Sequence, residues 1–107
     1  MTEAETIALA LEAHHAAARA QFEREGSQDF GQCGGAMLAY RGNTRFSRAL
    51  VAAGLGQHMG DGVYLCAKLP ADVRTQSRNV TEDAVRAFRD TAEAHGYKAK
   101  RFWTYAD

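Results

Sequence analysis

The stretch Arg41-Gly42-Asn43-Thr44-Arg45 has the residue types and spacing best suited to binding chemistry in this chain. A short apolar run, Ala36 to Tyr40, ends there and an amphipathic pattern begins. Free backbone N–H groups and the positive end of a helix dipole are therefore expected beside two forked guanidinium groups. Arg48 follows Arg45 at a three-residue spacing that keeps both on one helix face. Such a cluster suits a phosphate, a nucleotide or an acidic protein surface. Its plain alternative is a solvated basic face with an ordinary Asn43 cap.

A second candidate is the C-terminal run Tyr97 to Tyr105, where Lys98, Lys100 and Arg101 interleave with Phe102 and Trp103. Read as a strand, it places Tyr97, Ala99, Arg101, Trp103 and Tyr105 on one face and Lys98, Lys100, Phe102 and Thr104 on the other. Strands of this kind stack bases and hold phosphates. The default reading is an edge strand whose lysines deter aggregation. An exposed Trp103 would reverse that order.

Catalytic constellations are weaker. Gly31-Gln32-Cys33-Gly34-Gly35 has the look of a thiol-protease nucleophile, but the following residues read as strand and not as the helix that would lower the thiol pKa. His14, His15, His58 and His95 form no metal-ligand spacing with Cys33 or Cys66. Adjacent His14 and His15 would point about 100° apart on a helix. His95, beside Gly96, reads as a favourable partner for a helix C-terminus. No pair of carboxylates has informative spacing. The glycine-rich segment Gly54–Gly62 lies after a helix and before a strand, the reverse of a phosphate loop, and reads as a connection with His58 at its tip. The reading is therefore no enzyme, no cofactor and no metal.

The elements that must position these groups follow from local patterning. Thr2 and Glu5 have capping-box spacing, and Ile7, Leu11, Ala18 and Phe22 follow at helical spacing, so a helix is predicted over about 3–25 with Gly26 as its stop. Ala36–Tyr40 is predicted as a strand. A second helix, capped by Asn43 or Thr44, buries Phe46, Ala49, Leu50 and Ala53. Val63–Ala67 reads as the second strand, and Pro70–Ser77 as a polar loop, the best candidate for mobility. Asn79 and Glu82 repeat the capping-box spacing for a third helix ending at His95, and Tyr97–Tyr105 is the third strand. The order is α-β-α-β-α-β: a two-layer α/β (α+β) domain in which right-handed crossovers build a small three-stranded sheet with helices mainly on one face. One domain is expected over 1–107, an N-terminal helix at 1–25 followed by a βαβαβ body at 31–107.

Composition bounds the rest. With 107 residues, 46% hydrophobic and 24% charged, the chain has the make-up of one ordinary globular domain. Thirteen bases balance thirteen acids, which argues against bulk coating of nucleic acid. The charges are nevertheless segregated: residues 1–30 carry six acids and two bases, residues 31–107 seven acids and eleven bases. Both cysteines sit in apolar stretches and read as free, buried thiols. No apolar run approaches a membrane span, and MTEAETIALALEAHH lacks the charge and cleavage site of a secretory signal, so a cytoplasmic setting is expected.

Cys33-Gly34-x-Ala36, Gly42-Asn43-x-x-Phe46, Leu50, Gly54, Gly62-Val63 and Gly96-Tyr97-x-Ala99 together resemble a family of small uncharacterised proteins encoded by phages and prophages. The likeness covers about residues 31–99 and weakens at 68–78 and in the aromatic-basic C-terminus. It implies an accessory role in a host-cell cytoplasm, such as binding and inhibiting a host defence protein or nucleoprotein, CRISPR complexes included. The contacts expected for that role are Arg41, Asn43, Arg45, Arg48, Lys98, Lys100, Arg101 and Trp103. Alternatives are a module that sequesters a nucleotide signal at the strand-to-helix turn, and a small enzyme using Cys33 or His58. The alanine stripe of the first helix offers a further surface for a homo-oligomer.

Overall fold

The computed structural model describes residues 1–26, 34–75 and 77–106. Its elements run α1 (Glu3–Arg24), β1 (Gly34–Arg41), α2 (Arg45–Ala52), β2 (Gly56–Met59), β3 (Gly62–Leu65), α3 (Arg78–Ala94) and β4 (Arg101–Ala106). The α+β class and the predicted helices stand, but the sheet has four strands in place of three. The additional strand is β2, hidden in the glycine-rich segment. It pairs antiparallel with β3 through a two-residue turn at Gly60-Asp61, and Gly60 takes the positive φ of 61° that such a hairpin favours.

That hairpin also changes the sheet's directions. The order is β2-β3-β1-β4, and every neighbouring pair is antiparallel. Helix α2 joins β1 to β2, which run in the same direction with β3 between them. Helix α3 likewise joins β3 to β4 around β1. The expected crossover through α3 therefore exists, with β1 lying between its two strands. The one expected from β1 through α2 to the strand at 63–67 does not: β1 and β3 are antiparallel neighbours, and α2 leads to β2 instead. From β1 onward this is the split β-α-β, or ferredoxin-like, connectivity.

Local chemistry explains the helix ends. The Thr2–Glu5 capping box is formed in both directions, Glu5 Oε1 accepting from the Thr2 N–H at 3.0 Å and Thr2 Oγ1 accepting from the Glu5 N–H at 3.1 Å. Helix α3 departs from its predicted start: Ser77 is the N-cap and Asn79 lies inside the first turn. The Glu82 carboxylate turns to Arg78 one helical turn back, so the anticipated Asn79–Glu82 box is not made, and the Ser77 hydroxyl donates to Glu25 at 2.8 Å in place of capping the helix.

All three helices lie on one side of the sheet. Ile7, Ala10, Leu38, Tyr40, Phe46, Leu50, Val63, Val85, Phe88 and Ala92 form the main core, and Ala18, Val73, Val80 and Ala84 a second cluster under Phe22 and Leu69. Fully buried alanines on α1 (Ala10, Ala18) and on α3 (Ala84, Ala92) let the two helix axes approach closely. Ala10 and Ala18 of the α1 alanine stripe are thus spent inside the fold, whereas Ala4, Ala8 and Ala16 stay exposed. The polar 70–77 segment is also better anchored than its composition suggests. Among its described residues Val73 is buried, and Asp72 accepts two bonds from Arg19 at 2.9 and 3.1 Å. Cys66 corrects another expectation: it is a free thiol but an exposed one, because β3 ends one residue before it.

Gly56 is a point of close approach in β2. A Cβ there would sit 2.8 Å from Val63 Cγ1 and 3.1 Å from the Val51 backbone nitrogen. Gly56→Ala is expected to destabilise the domain by about 1–3 kcal/mol, the usual cost of overpacking, measured as a lower urea midpoint at unchanged slope.

Candidate functional site

The chain leaves β1 at Arg41, turns through Gly42-Asn43 and enters α2 at Arg45. Asn43 takes a left-handed φ of 63°, which its short polar side chain tolerates. Thr44 is the α2 N-cap, its hydroxyl accepting from the Ser47 N–H at 3.0 Å. The Ser47 hydroxyl in turn donates to the Arg41 carbonyl, tying the strand's exit to the helix's first turn. No acid lies in that first turn, so the positive end of the α2 dipole is left uncompensated.

A groove of about 620 Å³ opens beside this junction. Arg41, Thr44 and Arg45 line one side, and Gly96 through Lys100, the segment that leads into β4, line the other. Phe46 and Tyr97 also line it, with rings stacked at 4.5 Å and 17° between planes. Glu3, from the first turn of α1, is its one acid, and it accepts a 3.2 Å bond from the Tyr97 hydroxyl. Burial, with help from that carboxylate, holds the Tyr97 phenol above its ordinary pKa.

The four bases of the groove are not equivalent. Lys100 is paired with Asp61 from the β2–β3 turn, and this bond holds the Asp61 carboxyl below its usual range. The Arg41, Arg45 and Lys98 side chains make no hydrogen bond or ion pair with any described residue. Three cations thus line one concavity whose single lining carboxylate, Glu3, bonds to Tyr97 and to none of them. Tyr40, also a lining residue and 3% exposed, keeps a buried hydroxyl with no hydrogen-bond partner. Burial pushes that phenol's pKa up, so it stays protonated and able to donate.

The structure brings four of the sequence-derived candidates, Arg41, Arg45, Lys98 and Lys100, into one groove. The others lie apart. Arg48 folds back, its Nη1 donating to the Asn43 carbonyl at 3.0 Å, so both of these residues serve the turn. Arg101 and Trp103 stand on the sheet face away from the helices, where Arg101 lies over the Trp103 ring at 4.9 Å. Glu3 and Tyr97 complete the groove with little in the sequence to mark them as site residues. Tyr97 carried only the signal of its aromatic-basic neighbourhood, and Glu3, 94 residues away from it, carried none.

His58 is exposed on the edge strand β2. His95 caps α3, its Nδ1 2.9 Å from the Thr91 carbonyl. Cys33 lies outside the described residues. Among the described residues no three His, Cys, Asp or Glu side chains cluster as metal ligands. None of the described helices is long and apolar enough to cross a membrane. No protein-family model, curated protein or solved structure matches this chain.

Proposed function

We propose that this protein acts by binding, without catalysis, and that its groove at the β1–α2 junction captures a phosphate-bearing partner. The observation that carries this reading is the convergence of Arg41, Arg45 and Lys98 on one concavity with no carboxylate or hydrogen-bond partner of their own among the described residues. Guanidinium forks and the free N–H groups of a helix start are the groups that recognise phosphate oxygens. The phage-protein resemblance supplies the setting: an accessory protein in a host cytoplasm that occupies, and so inhibits, a defence protein or nucleoprotein such as a CRISPR complex.

A second reading, sequestration of a nucleotide signal, is favoured by the groove's volume, which falls among small-ligand sites, and by the Phe46–Tyr97 stack beside the cations. Expression in a CRISPR-immune bacterial host tests the first reading. The protein should raise phage plating more than tenfold, and the double variant Arg41→Glu/Arg45→Glu should lose that protection while keeping its circular-dichroism melting curve. Unchanged protection by the folded double variant would remove the groove from the mechanism. Calorimetry with linear and cyclic nucleotides tests the second reading, and the absence of binding heat across that panel would eliminate it.

A further inference from the structure

The four strands contain no Asp or Glu; their charged residues are Arg41 and Arg101. Among the described residues the acids lie on the helices and loops, and the one in a turn of the sheet, Asp61, is held by Lys100. All helices pack on the opposite side, so no described element covers the other face of the sheet.

Strand register places Met37, Ala39, Tyr64, Arg101 and Trp103 together on this face. Ala39 opposes Tyr64 on β3 and Arg101 on β4, and Met37 opposes Trp103. Arg101 Nη2 donates to the Tyr64 hydroxyl at 2.6 Å, closing a roof over Ala39, which is buried. The Arg101 guanidinium also lies over the Trp103 ring, and Tyr64 meets that ring edge-on at 5.9 Å. Trp103 is held on three sides and yet remains 37% exposed. Arg101 makes no direct ion pair with a described carboxylate; Asp61, bonded to Lys100, is the acid that feels its charge.

We infer that this face binds an extended single strand of nucleic acid, one base stacking on the Trp103–Arg101 pair while the guanidinium edge and Arg41 draw the flanking phosphates. Three properties select that occupant. A preset aromatic–guanidinium stack accepts any base because every base has a π-face. The acid-free sheet complements a polyanion. The burial of Tyr64 and Ala39 beneath the pair means that the platform exists before binding and its ordering cost is already met. The inference stands independently of the groove, although Arg41, at the end of β1, borders both.

Trp103 is the single tryptophan of the chain, so its fluorescence reports this surface directly. Titration of the full-length protein with a twelve-nucleotide oligothymidylate should quench the emission saturably, and the same sequence as a duplex should bind at least tenfold more weakly. Anisotropy of a labelled oligonucleotide should show Trp103→Ala and Arg101→Gln each weakening binding about tenfold. Trp103→Phe should lose less, and the groove variant Arg45→Glu/Lys98→Glu should bind within twofold of the parent. Melting curves must show that each variant is folded. Equal affinity for duplex, or loss of binding in the groove variant alone, would overturn the proposal. So would a Trp103-dependent dimer in sedimentation with no response to oligonucleotide, since that outcome assigns the face to a second copy of the chain.

Discussion

Phe88→Ala should cost about 3–5 kcal/mol of folding free energy, seen as a large fall in the urea midpoint with little change in slope. Among the described residues Phe88 is the largest side chain that is completely buried, and it belongs to the cluster that joins α3 to Leu38 and Tyr40 of β1 and to Ile7 and Ala10 of α1. Alanines on both helices already bring the axes close, so the backbones have little room to collapse into the vacated space. Because a small domain is typically stable by only about 5–15 kcal/mol, one ring here holds a large share of the total. A loss below about 1 kcal/mol would mean that α3 does not seat on the sheet as described.

Acid should weaken the same helix pair through His14. This side chain is 1% exposed, its Nδ1 has no hydrogen-bond partner, and the His15 ring lies edge-on at 5.4 Å. Burial, and secondarily the neighbouring His15, lowers its pKa to about 4 from the ordinary 6.5. The unfolded chain therefore takes up the proton first as pH falls. The stability tied to neutral His14 is fully present above about pH 6.5, declines by about 1.4 kcal/mol per unit below it, and is spent near pH 4, about 3 kcal/mol in all. Asp61 and Asp72, whose carboxyls are lowered by Lys100 and Arg19, lose their contributions only at lower pH, below the ordinary carboxylate range. Urea midpoints from pH 7 to pH 4.5 should fall steeply for the parent and stay nearly level for His14→Leu. Parallel curves for the two proteins would show that His14 is not the group responsible.

These effects bear on function through the same packing. The first turn of α1 supplies Glu3 to the groove, and β1 presents Arg41 at its exit, so both surfaces depend on α1, α3 and the sheet staying in register. The groove offers free cations in a concavity, and the sheet face a prebuilt aromatic–guanidinium pair.

What could be read from residue order was the chemistry acting over a few residues. The Thr2–Glu5 box, the Thr44 cap, the turn at Asn43 and the stop at Gly96 each join groups within one helical turn, and each appears where the spacing put it. Arg41 and Arg45 were legible as a strand-exit pair for the same reason. The alternation of β4 was legible too, but which of its faces would be covered was not. Phe102 and Thr104 turn toward α3, leaving Arg101 and Trp103 uncovered, only because all three helices chose one side.

Tertiary structure alone decided the fourth strand, the antiparallel directions and the makeup of the groove. Gly56-Gln57-His58-Met59 has almost no intrinsic strand preference and becomes β2 by pairing with β3. Lys98 and Tyr97 reach Arg45 because β4 docks beside β1, and Glu3 reaches them because α1 lies along α3. Hydrogen-bond ladders and helix docking join residues tens of positions apart, and their free energy depends on surfaces that exist only once the chain has closed on itself.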